Sequence, residues 1–161
     1  MNSENRSPSF SKARAYAYLL LKFRPRSSKE ISQRLKRKKF DPKTVKEVAL
    51  FLEEKGFIND AEFTRVWLES RLKRGFGFKR IRRELGLKGI DKEILDTQIE
   101  KAKQQYCEKD TIGRLAEEKW RRLSGIQPQK AKQRLFGYLA RRGFSADLII
   151  ETISDLGKKS R

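Results

Sequence analysis

Apolar residues recur along this chain at three- and four-residue spacings, and the recurrence itself repeats three times. A pair four residues apart marks each block: Ile31 and Leu35, Ile81 and Leu85, Leu135 and Leu139. Five residues later stands Phe40, Ile90 or Phe144, followed at once by Asp41, Asp91 or Ser145, whose side chains are suited to cap the start of a helix. Three and four residues past each cap come Thr44 and Val45, Ile94 and Leu95, Leu148 and Ile149. The same spacing runs through Phe63, Val66 and Trp67, and through Leu115, Ala116 and Trp120, whereas no stretch alternates with a period of two. The pattern predicts an all-α protein.

The three caps are 50 and 54 residues apart, room for three short helices but not for a strand-helix-strand crossover with its partner. The expected architecture is three tandem three-helix repeats, over residues 11–58, 59–107 and 108–157, forming an elongated, curved array. A flexible arm is expected over residues 1–10 and a basic tail over 158–161. Repeats of this size bury too little surface to be stable alone, so each is expected to lean on the next.

Boundary residues agree with the helices. Ser27 and Glu30 have capping-box spacing, Asp41-Pro42 places a cap before a proline, and Asn59 or Asp60 opens the middle repeat. Gly89 and Gly143 fall where the second helix of a repeat should stop in a left-handed turn, and the equivalent place in the first repeat is Lys39. The links near Ile58 to Asp60 and Gln105 to Lys109 are the expected hinges. Trp67 and Trp120 occupy nearly equivalent places and are expected in the core, with an interface role as the alternative.

Charge changes the picture from architecture to partners. The 161 residues hold 40 Lys and Arg against 21 Asp and Glu, a net charge of +19 at pH 7, and no His. A field of this sign and size favours phosphate backbones and acidic surfaces. Every repeat is basic, and the second helices carry the densest clusters. The candidate binding residues are Arg34, Arg37 and Lys38 in the first repeat. In the second they are Arg71, Arg74, Lys79, Arg80, Arg82 and Arg83, and in the third Lys130, Arg134, Arg141 and Arg142. At 100° per residue Lys79, Arg82 and Arg83 lie opposite Ile81 and Leu85, and Lys130, Arg134 and Arg141 lie opposite Leu135 and Leu139. Phe76 and Phe78, set among the basic residues, have two readings: plugs at a helix-helix joint, or platforms for unpaired bases.

Catalysis finds little support. Without His the usual general base near neutral pH is missing, and the chain lacks a phosphate-cradling GxxxxGK[ST], a zinc-binding HExxH and a nucleophile elbow. No catalytic residue, metal site or cofactor is expected. The single cysteine, Cys107, reads as a small buried hydrophobe that fits a reducing compartment. The start MNSENRSPSF has no apolar core for a secretory signal, and the apolar stretch from Ala15 to Leu21 is too short to span a bilayer. A soluble, cytoplasmic protein is expected.

Three segments together resemble the RecX family of recombination regulators: RPRSSKEISQRLKRKKFDPKTVKEV, GFINDAEFTRVWLESRLKRGFGFKRIRRELGLKGIDKEIL and RLFGYLARRGFSADLI. The middle segment is the most specific, joining GFINDxxF, a tryptophan, an arginine-rich exit, RIRREL and KGID. The resemblance implies a regulator, without enzymatic activity, that binds the RecA recombinase filament on single-stranded DNA and suppresses its ATP hydrolysis and strand exchange. It also implies direct contact with single- and double-stranded DNA. No membrane partner is expected from the short apolar stretch, and an end-capped array of this size need not self-associate, so a monomer is expected. The alternative is an autonomous, sequence-independent nucleic-acid binder with no recombinase partner. Two departures stand out: Phe78 where family members often carry Pro, and Lys39 in place of the usual Gly.

Overall fold

The computed structural model describes residues 7–159, and the described residues form nine α-helices and no strand. The first triplet is α1 (Pro8–Phe23), α2 (Ser28–Arg37) and α3 (Pro42–Glu54). The second is α4 (Asp60–Lys73), α5 (Phe78–Leu87) and α6 (Lys92–Gln105), and the third is α7 (Glu108–Arg121), α8 (Pro128–Arg142) and α9 (Ala146–Lys159). The all-α repeat reading therefore holds. Helix α1 begins earlier than expected: Ser7 caps it by accepting from the Phe10 amide at 3.2 Å, and Phe10 is buried, so Pro8–Phe10 are helix and not arm. Residues 1–6 of the expected arm, and 160 and 161 of the expected tail, lie outside the described residues.

Local chemistry explains where the helices start. Ser27 closes a complete capping box with Glu30 at the head of α2, and Asp41 accepts from the Thr44 amide at 2.9 Å at the head of α3. Asn59 accepts from the Glu62 amide and Ser145 from the Leu148 amide in the same manner. The apolar stripes then pack. In the first triplet Phe10, Ile31, Leu35, Val48 and Leu52 form one core, and in the third Ile112, Leu135, Leu139 and Ile149 form another.

The chain divides into two compact units, and the division ignores the repeat boundaries. One unit runs to Arg65 and takes in Leu85–Leu95; the other comprises Val66–Glu84 and the chain from Asp96 onward. All three middle helices are thus shared out. Phe63, Leu85, Ile90 and Leu95 are buried with the first unit, and Leu68, Leu72, Ile81 and Ile99 with the second.

Each unit is held by a joint of the same design, in which the end of one second helix meets the start of the preceding one. In the first unit the Ser27 hydroxyl, at the head of α2, donates to the Lys88 carbonyl just past α5 at 2.7 Å. In the second, the Gly77 amide, at the head of α5, donates to the Arg142 carbonyl that ends α8 at 2.9 Å, and the Lys79 amide to the Gly143 carbonyl at 3.2 Å. Helix ends carry amides and carbonyls without intrahelical partners, so the joint pairs two sets of orphans and brings opposite partial charges together. A carboxylate from the next triplet completes each joint. Asp60 accepts from the Ser28 amide at 2.9 Å, and Glu108 from the Phe78 amide at 2.7 Å. Asp60 and Glu108, which sit in the links read as hinges, are the anchors of the two joints. Burial pushes both carboxyls above the ordinary range although the amides pull the other way. Phe78 can serve here only because it is not proline: its N–H is the donor.

The joints also explain the glycine pattern. Gly89 and Gly143 both have positive φ, and a side chain added at either would collide with Lys29 or with Arg80 of the helix it meets. Lys39 has the same left-handed turn, φ 64°, and is the one non-glycine with positive φ among the described residues. It is exposed, so a side chain fits where no neighbouring triplet abuts.

Lys39→Gly is expected to raise stability by about 1 kcal/mol, since it removes left-handed strain without losing a contact. Gly89→Ala and Gly143→Ala, which add strain and a collision, should each cost at least about 2 kcal/mol. Urea midpoints for the three variants check both signs. A second expectation concerns Glu30: burial raises its pKa, but hydrogen bonds from Arg24 and Lys88 more than offset this and hold it at about 2, below the ordinary 4.5. A depressed folded pKa means the contribution is present above about pH 4.5 and disappears as pH falls toward about 2. The gap in urea midpoint between the wild type and Glu30→Gln should therefore close across that window.

Candidate nucleic-acid and partner interface

The second joint gathers the cations that the sequence singled out, and it divides them into two kinds. Arg71 from α4, Arg80 from α5 and Arg142 from α8 surround the ring of Phe76, their guanidinium carbons 5.6, 4.2 and 5.1 Å from its centroid. Glu84, one turn beyond Arg80, accepts from the Arg71 Nε at 2.7 Å, from the Arg80 Nε at 2.9 Å and from the Trp67 Nε1 at 3.2 Å. These partners hold the Glu84 carboxyl below its ordinary pKa against the upward push of burial. The remaining donors close the joint: Arg80 Nη1 reaches the Arg141 carbonyl at 3.0 Å, and Arg142 Nη1 the Arg74 carbonyl at 2.6 Å. A cation over an aromatic face is worth ~0.5 to 2 kcal/mol depending on exposure, so three around one ring make Phe76 a fastening.

Arg71, Arg80 and Arg142, predicted to bind a partner, are therefore held by contacts inside the protein. Arg82 is also engaged, through Asp96 at 2.5 Å. The others project. Arg74, Lys79, Arg83 and Arg141 in the second unit are exposed and make no ion pair among the described residues. Lys130 and Arg134 are exposed along α8, and Arg34 and Arg37 along α2, where Lys38 also lies over the Tyr16 ring at 5.4 Å.

Lys79, Arg80, Arg83 and Arg141 line one groove, of about 690 Å³, whose apolar floor comprises Phe136, Ala140, Phe144, Ala146 and Ile149. No carboxylate lines it. Phe136 was not among the candidates. Its signal was available, since it directly follows the buried Leu135 and so falls off the apolar stripe, leaving it 36% exposed. Glu84 was missed as well, although it stands four residues after Arg80, the spacing of a helical ion pair.

Other residues also changed character. Phe76 and Phe78 plug the joint: Phe78 is buried and meets Tyr106 edge to face at 5.9 Å. Trp67 and Trp120 are half-buried at the edges of their cores, because each lies at the rim of its helix stripe. Cys107 is exposed, not buried. It holds the N-cap position of α7 and makes no side-chain capping hydrogen bond there, so the thiol is left at the surface. Among the described residues no group of His, Cys, Asp and Glu is placed to hold a metal ion, and no helix is long and apolar enough to cross a membrane.

Fold and joints together define an all-helical protein of three tandem three-helix repeats with a basic groove at the second joint. The chain belongs to the RecX family of regulatory proteins. Family models for the first, second and third three-helix domains of RecX match residues 13–52, 59–97 and 108–153. The chain is 31% identical over 142 residues to the regulatory protein RecX of Streptomyces coelicolor, covering 88% of this chain and 75% of that protein. It is 32% identical over 135 residues to the regulatory protein RecX of Halorhodospira halophila, covering 83% and 81%. The crystal structure of RecX from Lactobacillus salivarius shares the fold, with a TM-score of 0.79 at 24% identity over 92% of this chain and 97% of that one.

The fastening at Phe76 is testable. Phe76→Ala should lower stability by about 2 to 3 kcal/mol, because it removes three cation–ring contacts as well as opening a cavity. Phe76→Leu should recover only part of this. Thermal melting followed by circular dichroism distinguishes the two.

Proposed function

We propose that this protein is an inhibitor of the RecA recombinase, acting as a monomer in the cytoplasm. It binds the RecA–single-stranded DNA filament through the exposed cations of its second helices and suppresses ATP hydrolysis and strand exchange, with no chemistry of its own. Membership of a family of regulatory proteins supports the role. The observation that carries the mode of binding is the state of Lys79, Arg83 and Arg141. In a chain with 21 acidic residues, these three share a groove with no carboxylate in its lining. Uncompensated like charges oppose one another in the free protein, and a polyanion relieves that repulsion.

The experiment adds the protein to preassembled RecA filaments locked by a non-hydrolysable nucleotide. Association without release of the DNA is the expected outcome, together with inhibition of ATPase and strand exchange in unlocked reactions. Lys79→Glu with Arg83→Glu should weaken filament binding by about tenfold or more while leaving the melting temperature nearly unchanged. No association with locked filaments, alongside tight binding to naked DNA, would instead establish an autonomous nucleic-acid binder.

A further inference from the structure

The exposed apolar residues of the first triplet are not scattered. On α1 the buried Phe10, Ala13, Ala17 and Leu20 face the core. At 100° per residue Lys12, Ala15, Leu19, Lys22 and Phe23 fall together on the far side, in a sector about 100° wide. All five are exposed, Leu19 by 51% and Phe23 by 75%, the largest value among the big apolar residues described. The outer face of α1 is thus an uncovered apolar stripe flanked by two lysines.

A surface of the opposite character lies in the same triplet. Along α3, Glu47, Leu50, Phe51 and Glu54 stand at i, i+3, i+4 and i+7, which sets two apolar residues between two carboxylates on one helix face. This face lines a groove of about 680 Å³ beside the start of α1. Arg14 covers the Phe51 ring at 5.6 Å, so the apolar surface on offer is chiefly Leu50, 48% exposed. Glu47 and Glu54 are exposed and form no ion pair among the described residues. Lys43 is the one cation in the lining, against three carboxylates, in a protein of net charge +19.

Charge narrows the occupant. Carboxylates at the rim repel phosphates and acidic protein surfaces, and the leucine between them favours an apolar contact, so the groove fits a helix face that joins cations to apolar residues. The α1 stripe has that composition. Lys12 and Lys22 are ~15 Å apart along their helix and Glu47 and Glu54 ~10 Å along theirs, a difference that flexible lysine stems can close. The two surfaces do not meet within one molecule: the side of α1 turned to α3 carries Arg14, over Phe51, and Tyr18, against Phe57 at 4.9 Å.

We infer that the groove beside α3 receives the α1 stripe of a second copy of this chain when both copies lie on one polyanion, with Leu19 and Phe23 against Leu50, and Lys12 and Lys22 against Glu47 and Glu54. Free copies repel one another through their net charge, and bound phosphates remove that repulsion. Because the contact joins two different surfaces, each copy keeps one of them open and a row can grow along a linear polyanion. The inference rests on the polyanion binding proposed above but uses none of the cations assigned to it.

The test measures binding of the full chain by fluorescence anisotropy to two labelled oligothymidylates, one that accommodates a single copy and one that accommodates several. The wild type should bind about tenfold more tightly per copy on the long strand, with a steeper isotherm. Glu47→Lys with Glu54→Lys should abolish that advantage, as should Lys12→Glu with Lys22→Glu, since each double variant sets like charge against like. Their short-strand affinities shift in opposite directions with net charge, so the ratio between the strands is the readout. An equimolar mixture of the two double variants should regain the advantage, because each reversed stripe then finds a reversed groove and each original stripe an original groove. Phe23→Ser should reduce the advantage and leave the melting temperature nearly unchanged.

A wild type with equal affinity per copy on both strands, or with none for either, overturns the inference, and so does a mixture as weak as its components. Double variants that keep the long-strand advantage but lose locked filaments would give the groove to the recombinase, sinking this inference and sparing the proposed function. An advantage lost and regained as expected, in a protein that never alters RecA activity, would do the reverse.

Discussion

The meeting of a helix end with the start of an earlier helix is the interaction on which the rest of this structure depends. Three-helix units of some fifty residues bury too little apolar surface to stand alone. Stacking such units normally relies on side chains, yet here the main chain takes part. Orphan donors at the head of α5 find orphan acceptors at the tail of α8, and a hydroxyl at the head of α2 finds a carbonyl past α5. Because backbone meets helix at close range, the tails need glycine, and because each joint draws its carboxylate from the following triplet, the middle triplet is parcelled between two compact units.

Electrostatics follow from that arrangement. A protein so rich in arginine must place its guanidinium groups somewhere, and the second joint absorbs three of them around a single phenylalanine with a single carboxylate. Burying charge in this manner works because the planar guanidinium can lie on a ring with one face and use its edges for carbonyl and carboxylate oxygens. What remains outside is the share of positive charge that the fold does not consume. The number of basic residues in a segment is therefore a poor guide to its free charge.

Much of the fold was legible in the sequence, and the reason is local. Capping residues act within three positions of themselves, and the apolar stripe repeats within a single helix, so Ser27, Asp41 and Ser145 and the recurring Ile/Leu pairs declare the helices without reference to anything distant. The left-handed turn at Lys39 was legible for the same reason, through its register with Gly89 and Gly143. The candidate site was legible only in part. Whether an arginine points outward or is consumed inside depends on partners far along the chain, such as the Arg141 carbonyl for Arg80 and the Arg74 carbonyl for Arg142. No pattern within one helix carries that information. Phe76 was ambiguous for this reason, and Cys107 misled because small size was taken for burial when its place was the threshold of a helix.

The lysine that ends α2 has a meaning beyond its strain. A tail that joins must be bare at this turn, as Gly89 and Gly143 are; a tail bearing a long side chain is sterically sealed. Lys39 therefore leaves the turn after α2 without the bare backbone by which the turns after α5 and α8 approach their neighbours, so one residue type distinguishes a tail that joins from a tail that faces solvent.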